Sequence, residues 1–125
     1  MATKFYWSTD VTGHHPVCTS DLAMHGDVSL LSCILMDDGG VGIDESICWL
    51  DEGVRRIDYI RKNNADTMEW GREGWIGLIS FDTVKIFSSH DENYSAVIET
   101  NVFEECLRKW IVFIKEKSIL AIISI

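Results

Sequence analysis

Two segments with helical periodicity enclose a run of short strand-like segments, and this order is the strongest constraint on the fold. In residues 46–63, apolar side chains recur every three or four positions, which places them on one face of a helix. Residues 102–117 show the same spacing. The strand-like segments between them are residues 75–80, 84–88 and 95–100. Two main helices packed with a mainly antiparallel sheet, a three-stranded meander, predict an α+β fold with one domain over residues 1–125.

The other segments carry weaker signals. Residues 4–9 are aromatic and predict a first strand, whereas residues 12–26 combine Gly, Pro and His and predict an irregular, exposed segment. Residues 28–36 form a continuous apolar run that fits a strand buried on both faces, although periodicity alone leaves a buried helical turn open. The tail, residues 118–125, is rich in Ile, and we expect it to pair with the sheet or with a neighbouring chain.

Acidic residues are concentrated in the first 54 positions. This stretch holds nine of the twenty Asp and Glu residues and a single base, Lys4, so it carries −8 of the net charge of −9. A field of this sign repels nucleic acid and anionic membranes, and it attracts a positively charged partner. No apolar run approaches the ~20 residues that span a bilayer. The missing leader pattern and four widely spaced cysteines predict a cytoplasmic protein with reduced thiols.

Some of these acids are expected to form ion pairs within the first predicted helix. Asp51 and Glu52 precede Arg55 and Arg56 by four positions, a spacing at which each pair neutralises itself. The acids that lie in or beside predicted loops are Asp10, Asp21, Asp27, Asp37 and Asp38. We predict that these five bind the partner, and that the turn at residues 37–40 makes the first contact. Two aromatic residues outside the clearest apolar faces are candidate interface anchors, namely Trp7 and Trp70.

One segment also suggests a second class of function. It contains His14, His15, Cys18 and His25. Zinc sites usually have paired ligands on two arms, whereas this chain contains no Cys-x-x-Cys. A thiol nucleophile needs a neighbouring base, and no signature of a thiol enzyme surrounds Cys18. A small zinc- or thiol-dependent enzyme remains an alternative, as does an acidic adaptor subunit. The first expectation is a protein without catalytic residues, metal or cofactor.

The C-terminal half resembles a known class of small acidic proteins. The resemblance is carried by the helix pattern Phe103, Leu107, Trp110 and Phe113, by the strand pair 75–79 and 84–87, and by the segment 49–53. These features resemble the immunity proteins of contact-dependent growth inhibition and related polymorphic toxin systems of bacteria. The resemblance covers residues 46–117. Residues 1–45, which hold all five loop acids, lie outside it.

The resemblance implies a binding protein rather than an enzyme. Immunity proteins of this class bind one cognate toxin domain, often a nuclease, and block its active site or its access to substrate. No site residue is transferred from the class, because these interfaces differ from one immunity type to the next. A nuclease binds phosphates through a basic cleft, which an acidic surface complements. We therefore expect a basic, nuclease-type toxin domain as the partner, without direct binding to nucleic acid or membrane.

Overall fold

The computed structural model describes residues 3–123, with side chains described as far as residue 116. The order of elements confirms the α+β class. The strands are β1 (Lys4–Asp10), β2 (Gly13–Thr19), β3 (Met24–His25), β4 (Val28–Ser29), β5 (Met68–Gly71), β6 (Trp75–Ile79), β7 (Thr83–Ser88) and β8 (Asp91–Glu99). The helices are α1 (Leu30–Met36), α2 (Ile43–Asn63) and α3 (Thr100–Ile123).

A four-stranded antiparallel sheet lies between α2 and α3 in the sequence. Its strand order is β5–β6–β7–β8, so that the predicted meander β6–β7–β8 is present and β5 extends it on one side. Ile79, Val84 and Ile86 are fully buried in the core of the protein. The sequence prediction missed β5 because this strand has only four residues and lies in a polar stretch.

The two long helices pack against each other and are joined by ion pairs. Asp51 Oδ2 of α2 lies 3.7 Å from Lys115 Nζ of α3, and Glu104 of α3 pairs with Arg61 of α2. The predicted Asp51–Arg55 pair is therefore wrong. Glu52 instead lies 2.9 Å from the Nε atoms of both Arg55 and Arg56. In these pairs, the positive charges of bases on α2 and α3 are neutralised by acids of the same two helices.

The predicted β-structure of the tail is wrong over most of its length. Helix α3 continues to Ile123, so residues 118–123 are helical rather than paired with the sheet. Extending a helix adds one hydrogen bond per ordered residue without a new nucleation step, which outweighs the weak β preference of Ile. Residues 124 and 125 of the predicted strand lie outside the described residues.

Two predictions for the N-terminal third are also wrong. Residues 13–19, expected to be irregular, form β2, which pairs with β1 from Lys4 opposite Thr19 to Asp10 opposite Gly13. Residues 30–36, expected to be a strand, form α1. Ser29 caps this helix, because its Oγ accepts a hydrogen bond from Ser32 N at 3.3 Å. The buried leucine and isoleucine side chains of α1 lie on one side of the helix. Cys33 and Met36 make the other side apolar as well, and seven residues give only two turns, so the helical period is weak.

An aromatic cluster joins the β1–β2 hairpin to α3. The ring of Phe5 lies edge-on to Trp110 at 5.1 Å between centroids, and Trp7 stacks on Phe113 at 5.4 Å. Such pairs contribute ~0.5–1.5 kcal/mol each beyond the area that they bury. The hairpin is a separate two-stranded sheet that packs on the rest of the protein through these aromatic contacts and through contacts of β2 with α1, where the Ser32 hydroxyl donates to Cys18 Sγ at 3.6 Å.

Candidate functional site

The connection between α1 and α2, residues 37–42, is a glycine-rich turn with an unusual backbone. Gly39, Gly40 and Gly42 have φ values of 64°, 81° and 90°, which side chains other than glycine rarely adopt. Val41 N donates to Asp38 O at 3.2 Å and closes the turn. We call residues 37–42 the acidic turn.

Asp37 anchors the acidic turn to the sheet. Its Oδ2 accepts hydrogen bonds from Gly74 N at 2.9 Å, at the end of the β5–β6 connection, and from Trp75 N at 3.2 Å, at the start of β6. Its Oδ1 accepts from Gly39 N at 3.1 Å. The half-buried carboxylate therefore binds three backbone N–H groups of its own chain. The sequence predicted Asp37 as a partner contact and missed this internal role.

Asp38 keeps part of its carboxylate available. Its Oδ1 accepts from Gly40 N at 2.9 Å, whereas Oδ2 has no hydrogen-bond partner within the part of the chain that the structure describes. The main-chain oxygen of Asp38 accepts from Arg72 Nη1 at 3.1 Å, and the Arg72 guanidinium also lies 5.9 Å from the centre of the Trp49 ring. The turn is thus held by the side chain of Asp37 and the main chain of Asp38, and one carboxylate oxygen of Asp38 remains able to bind a cation.

Two cavities lie on either side of the acidic turn and share Met36 and Asp38. The sheet-side cavity has a volume of about 470 Å³ and is lined by Cys33, Met36, Asp37, Asp38, Glu73, Gly74, Trp75 and His90. The hairpin-side cavity has a volume of about 530 Å³ and is lined by His14, His15, Pro16, Met36, Asp38, Gly40, Gly42, Ile43 and Trp110. Binding sites for small ligands commonly have volumes of ~300–1,000 Å³. Neither lining, as far as the described residues go, includes a lysine or an arginine.

Three of the predicted contact acids lie elsewhere. Asp21 and Asp27 are exposed beside β3 and line neither cavity. Asp10 is exposed at the tip of the β1–β2 hairpin, where hydrogen bonds from the Thr12 hydroxyl and backbone N–H lower the pKa of its carboxyl. His15 Nε2 lies 3.4 Å from Asp10 Oδ1. The structure therefore brings together only Asp37 and Asp38 of the five acids.

The two predicted aromatic anchors have different positions. Trp7 is half-buried and stacks on Phe113, so part of its surface remains exposed. Trp70 is only 2 % exposed, and its Nε1 donates to Trp49 O at 2.9 Å. Trp70 is therefore a core residue, and its prediction as an interface anchor is wrong. Its strand has alternating burial, a signal that four residues are too few to reveal in the sequence.

The structure separates the residues of the alternative metal or thiol site. Cys18 is 2 % exposed, and burial raises the pKa of its thiol, which makes it a poor nucleophile. His25 belongs to a different sheet, where its Nδ1 lies 3.0 Å from Ser95 O and its ring 4.1 Å from that of Tyr94. Among residues 3–123, no group of three or more His, Cys, Asp or Glu side chains is arranged to hold a metal ion.

Trp110 is a site residue that sequence reasoning assigned only to the core. Its side chain is fully buried and lines the hairpin-side cavity, yet its Nε1 has no hydrogen-bond acceptor among the described residues. A buried donor without an acceptor costs about 1–3 kcal/mol, so native structures contain few of them. Helical periodicity predicts burial of Trp110 but gives no information about the partner of its indole nitrogen.

No helix within the described range is both long enough and apolar enough to cross a membrane. The chain was also compared with known proteins. Models of protein families, curated proteins and solved structures give no match to it.

Proposed function

We propose that the chain is an immunity-type inhibitor that binds a basic toxin domain in the cytoplasm and occludes its active site or substrate-binding surface. The observation that carries this proposal is the acidic turn between two cavities, with an available carboxylate oxygen on Asp38 and no described Lys or Arg in either lining. A cationic side chain can pair with such a carboxylate through charge-assisted hydrogen bonds.

The distribution of the remaining charge supports an attractive surface around the turn. A group of bases on α2 and α3 pairs with acids of the same two helices, and these bases are Arg55, Arg56, Arg61, Arg108, Lys109 and Lys115. The charges on α2 and α3 therefore largely cancel, so that most of the net charge of −9 lies on other surfaces of the protein. Complementary charge speeds the encounter of two proteins and fixes their relative orientation.

A nuclease toxin is the partner class that this charge suits best. Nucleases bind the phosphate backbone with Lys and Arg and therefore expose a basic cleft. An acidic protein that enters the cleft competes with nucleic acid for the same cations. The turn connects two helices, and the available carboxylate oxygen of Asp38 is the group that would bind one of these cations.

The test is co-expression with the product of the gene immediately upstream, which the proposal expects to be the toxin. We expect protection of the cell and a stable purified complex. Lack of both protection and complex formation would refute the proposal. A basic partner without toxicity would instead support the alternative of an acidic adaptor subunit.

The role of the turn is tested by charge reversal at Asp38. Asp38→Lys should slow association by about tenfold or more, and the effect should shrink at high salt, where charges are screened. Asp82→Lys is the matched control, because it makes the same change at an exposed position at the other end of β6 from Trp75. Equal association rates for the two variants would argue against contact through the turn.

A further inference from the structure

The wall of the hairpin-side cavity presents apolar groups, a carboxylate and a hydrogen-bond donor, so an occupant needs a different chemical group for each of them. Its wall contains apolar groups from Pro16, Met36 and Ile43 beside the carboxylate of Asp38. It also contains the ring of Trp110, whose buried Nε1 lacks an acceptor in the described part of the chain. A complete occupant must therefore supply a cation, an apolar stem and a hydrogen-bond acceptor.

The two histidines of the cavity are held in place by threonines of the hairpin. His14 Nδ1 lies 2.8 Å from Thr9 Oγ1, and His15 Nε2 lies 2.6 Å from Thr12 Oγ1. Each imidazole thus has one ring nitrogen engaged within the hairpin, which restricts the orientation of its ring. This side of the cavity has a defined shape rather than a set of freely rotating side chains.

Other occupants fit this lining less well. An anion would meet the Asp38 carboxylate without a described Lys or Arg in the lining to offset it. A purely apolar group would leave both that carboxylate and the Trp110 N–H desolvated and unpaired, which is unfavourable. A basic residue with its own peptide group supplies all three required features.

We propose that the hairpin-side cavity receives one basic side chain of the partner, arginine for preference, together with the adjacent peptide carbonyl. The guanidinium binds Asp38 Oδ2, the aliphatic stem packs on Met36 and Ile43, and the carbonyl accepts a hydrogen bond from Trp110 Nε1. Because Nε1 is buried, the carbonyl reaches it only when the cavity wall yields slightly. The inference rests on the proposed function for the source of this side chain.

The experiment uses a small probe in place of the partner. The indole N–H resonances of ¹⁵N-labelled protein are recorded while N-acetyl-arginine-N-methylamide is added, and the Trp110 signal is identified with Trp110→Phe. We expect a saturable shift of this signal. The citrulline analogue, which is neutral and similar in shape, should bind about tenfold more weakly, since it lacks the charge-assisted bond.

Two variants test the role of Asp38. Asp38→Asn retains an oxygen for Gly40 N and so preserves the turn, but it should weaken binding of the arginine probe about tenfold. Asp27→Asn removes the same charge at an exposed position outside the cavity and should leave binding unchanged.

Each failure has a distinct meaning. The cavity inference is overturned if the Trp110 signal does not shift, if citrulline binds equally well, or if Asp38→Asn binds normally. It is also overturned if the toxin binds the protein but the arginine probe does not. Specific binding of the probe without any toxin partner would support the cavity as an arginine site and refute the proposed function.

Discussion

Asp37→Ala removes the acceptor for three backbone N–H groups and should destabilise the protein more than any other single change in the acidic turn. Gly74 N, at the end of the β5–β6 connection, and Trp75 N, at the start of β6, would lose their bonds to Oδ2. Gly39 N would lose its bond to Oδ1. Asp37 is also the C-cap of α1, a position at which a negative charge opposes the helix dipole. The three bonds explain why an acid is nevertheless found there.

The expected size of the effect follows from these contacts. Each hydrogen bond to a charged group contributes about 1.5–3 kcal/mol. The bonds from Gly74 N and Trp75 N account for most of the expected loss of stability, because they connect segments that are distant in the sequence. Relief of the unfavourable dipole interaction returns about 0.3–1 kcal/mol. We therefore expect Asp37→Ala to lower the free energy of unfolding by about 3 kcal/mol. Asp38→Ala loses one exposed bond, to Gly40 N, and should lower it by about 1 kcal/mol.

Urea unfolding followed by tryptophan fluorescence measures both values. Asp37→Asn keeps one carbonyl acceptor and should fall between wild type and Asp37→Ala. An unchanged denaturant slope shows that the variants differ in stability rather than in compactness. Equal losses for Asp37→Ala and Asp38→Ala, or a loss below about 1 kcal/mol for Asp37→Ala, would refute an anchoring role.

Three further predictions concern charge, thiols and packing. Burial raises the pKa of Glu104, but hydrogen bonds from two arginines outweigh it, so its pKa is lowered overall. The ionised Glu104 therefore contributes fully to stability at a pH above its pKa in the unfolded protein, about 4.3. This contribution is lost as the pH falls through the lower pKa of the folded protein. Urea unfolding should show Glu104→Gln to be about 1–2 kcal/mol less stable than wild type at neutral pH, with the difference vanishing in acid. A thiol-specific disulfide reagent should label exposed Cys48 rapidly and buried Cys18 slowly, at the rate at which the β1–β2 hairpin opens or the protein unfolds. Gly53→Ala should lower the free energy of unfolding by about 1–2 kcal/mol, and with it the melting temperature, because an added Cβ would lie 2.8 Å from the Trp70 ring.

Each of these predictions has a contradicting result. A Glu104→Gln deficit that persists at low pH would show that the loss does not depend on the carboxylate charge. Fast labelling of Cys18 in the folded protein would reopen the thiol-enzyme alternative. A stabilised Gly53→Ala variant would mean that helix propensity, worth about 1 kcal/mol, outweighs the steric contact.

The long elements were predictable because their signals sum over many residues. Helix α2 shows a repeated apolar spacing, and the β6–β7–β8 segments alternate with short turns. α1 was not predicted as a helix because its seven residues give only two turns and its other side carries apolar residues too, which leaves a weak helical period. A usable signal was nevertheless present. Ser29 comes directly before Leu30, the first residue of α1, and a serine just before apolar residues is a helix-start pattern.

The site was predictable only in part. Loop chemistry predicted a turn at residues 37–40, within the connection between α1 and α2, but the acceptor role of Asp37 links positions that are 37 and 38 residues apart. No local pattern reports such a bond. Whether Trp110 Nε1 has an acceptor among the described residues depends on which groups surround it in the folded protein, so periodicity could predict burial of this side chain and nothing more.

The β1–β2 hairpin has a consequence for the kinetics of binding. A two-stranded sheet is only marginally stable by itself, and this one depends for its position on aromatic contacts with α3 and on the packing of β2 against α1. Such elements open locally at much lower free energy than a sheet core. Because β2 forms one side of the hairpin-side cavity, its opening would act as a gate. Association would then have two phases, a fast salt-dependent encounter and a slower step that salt affects little.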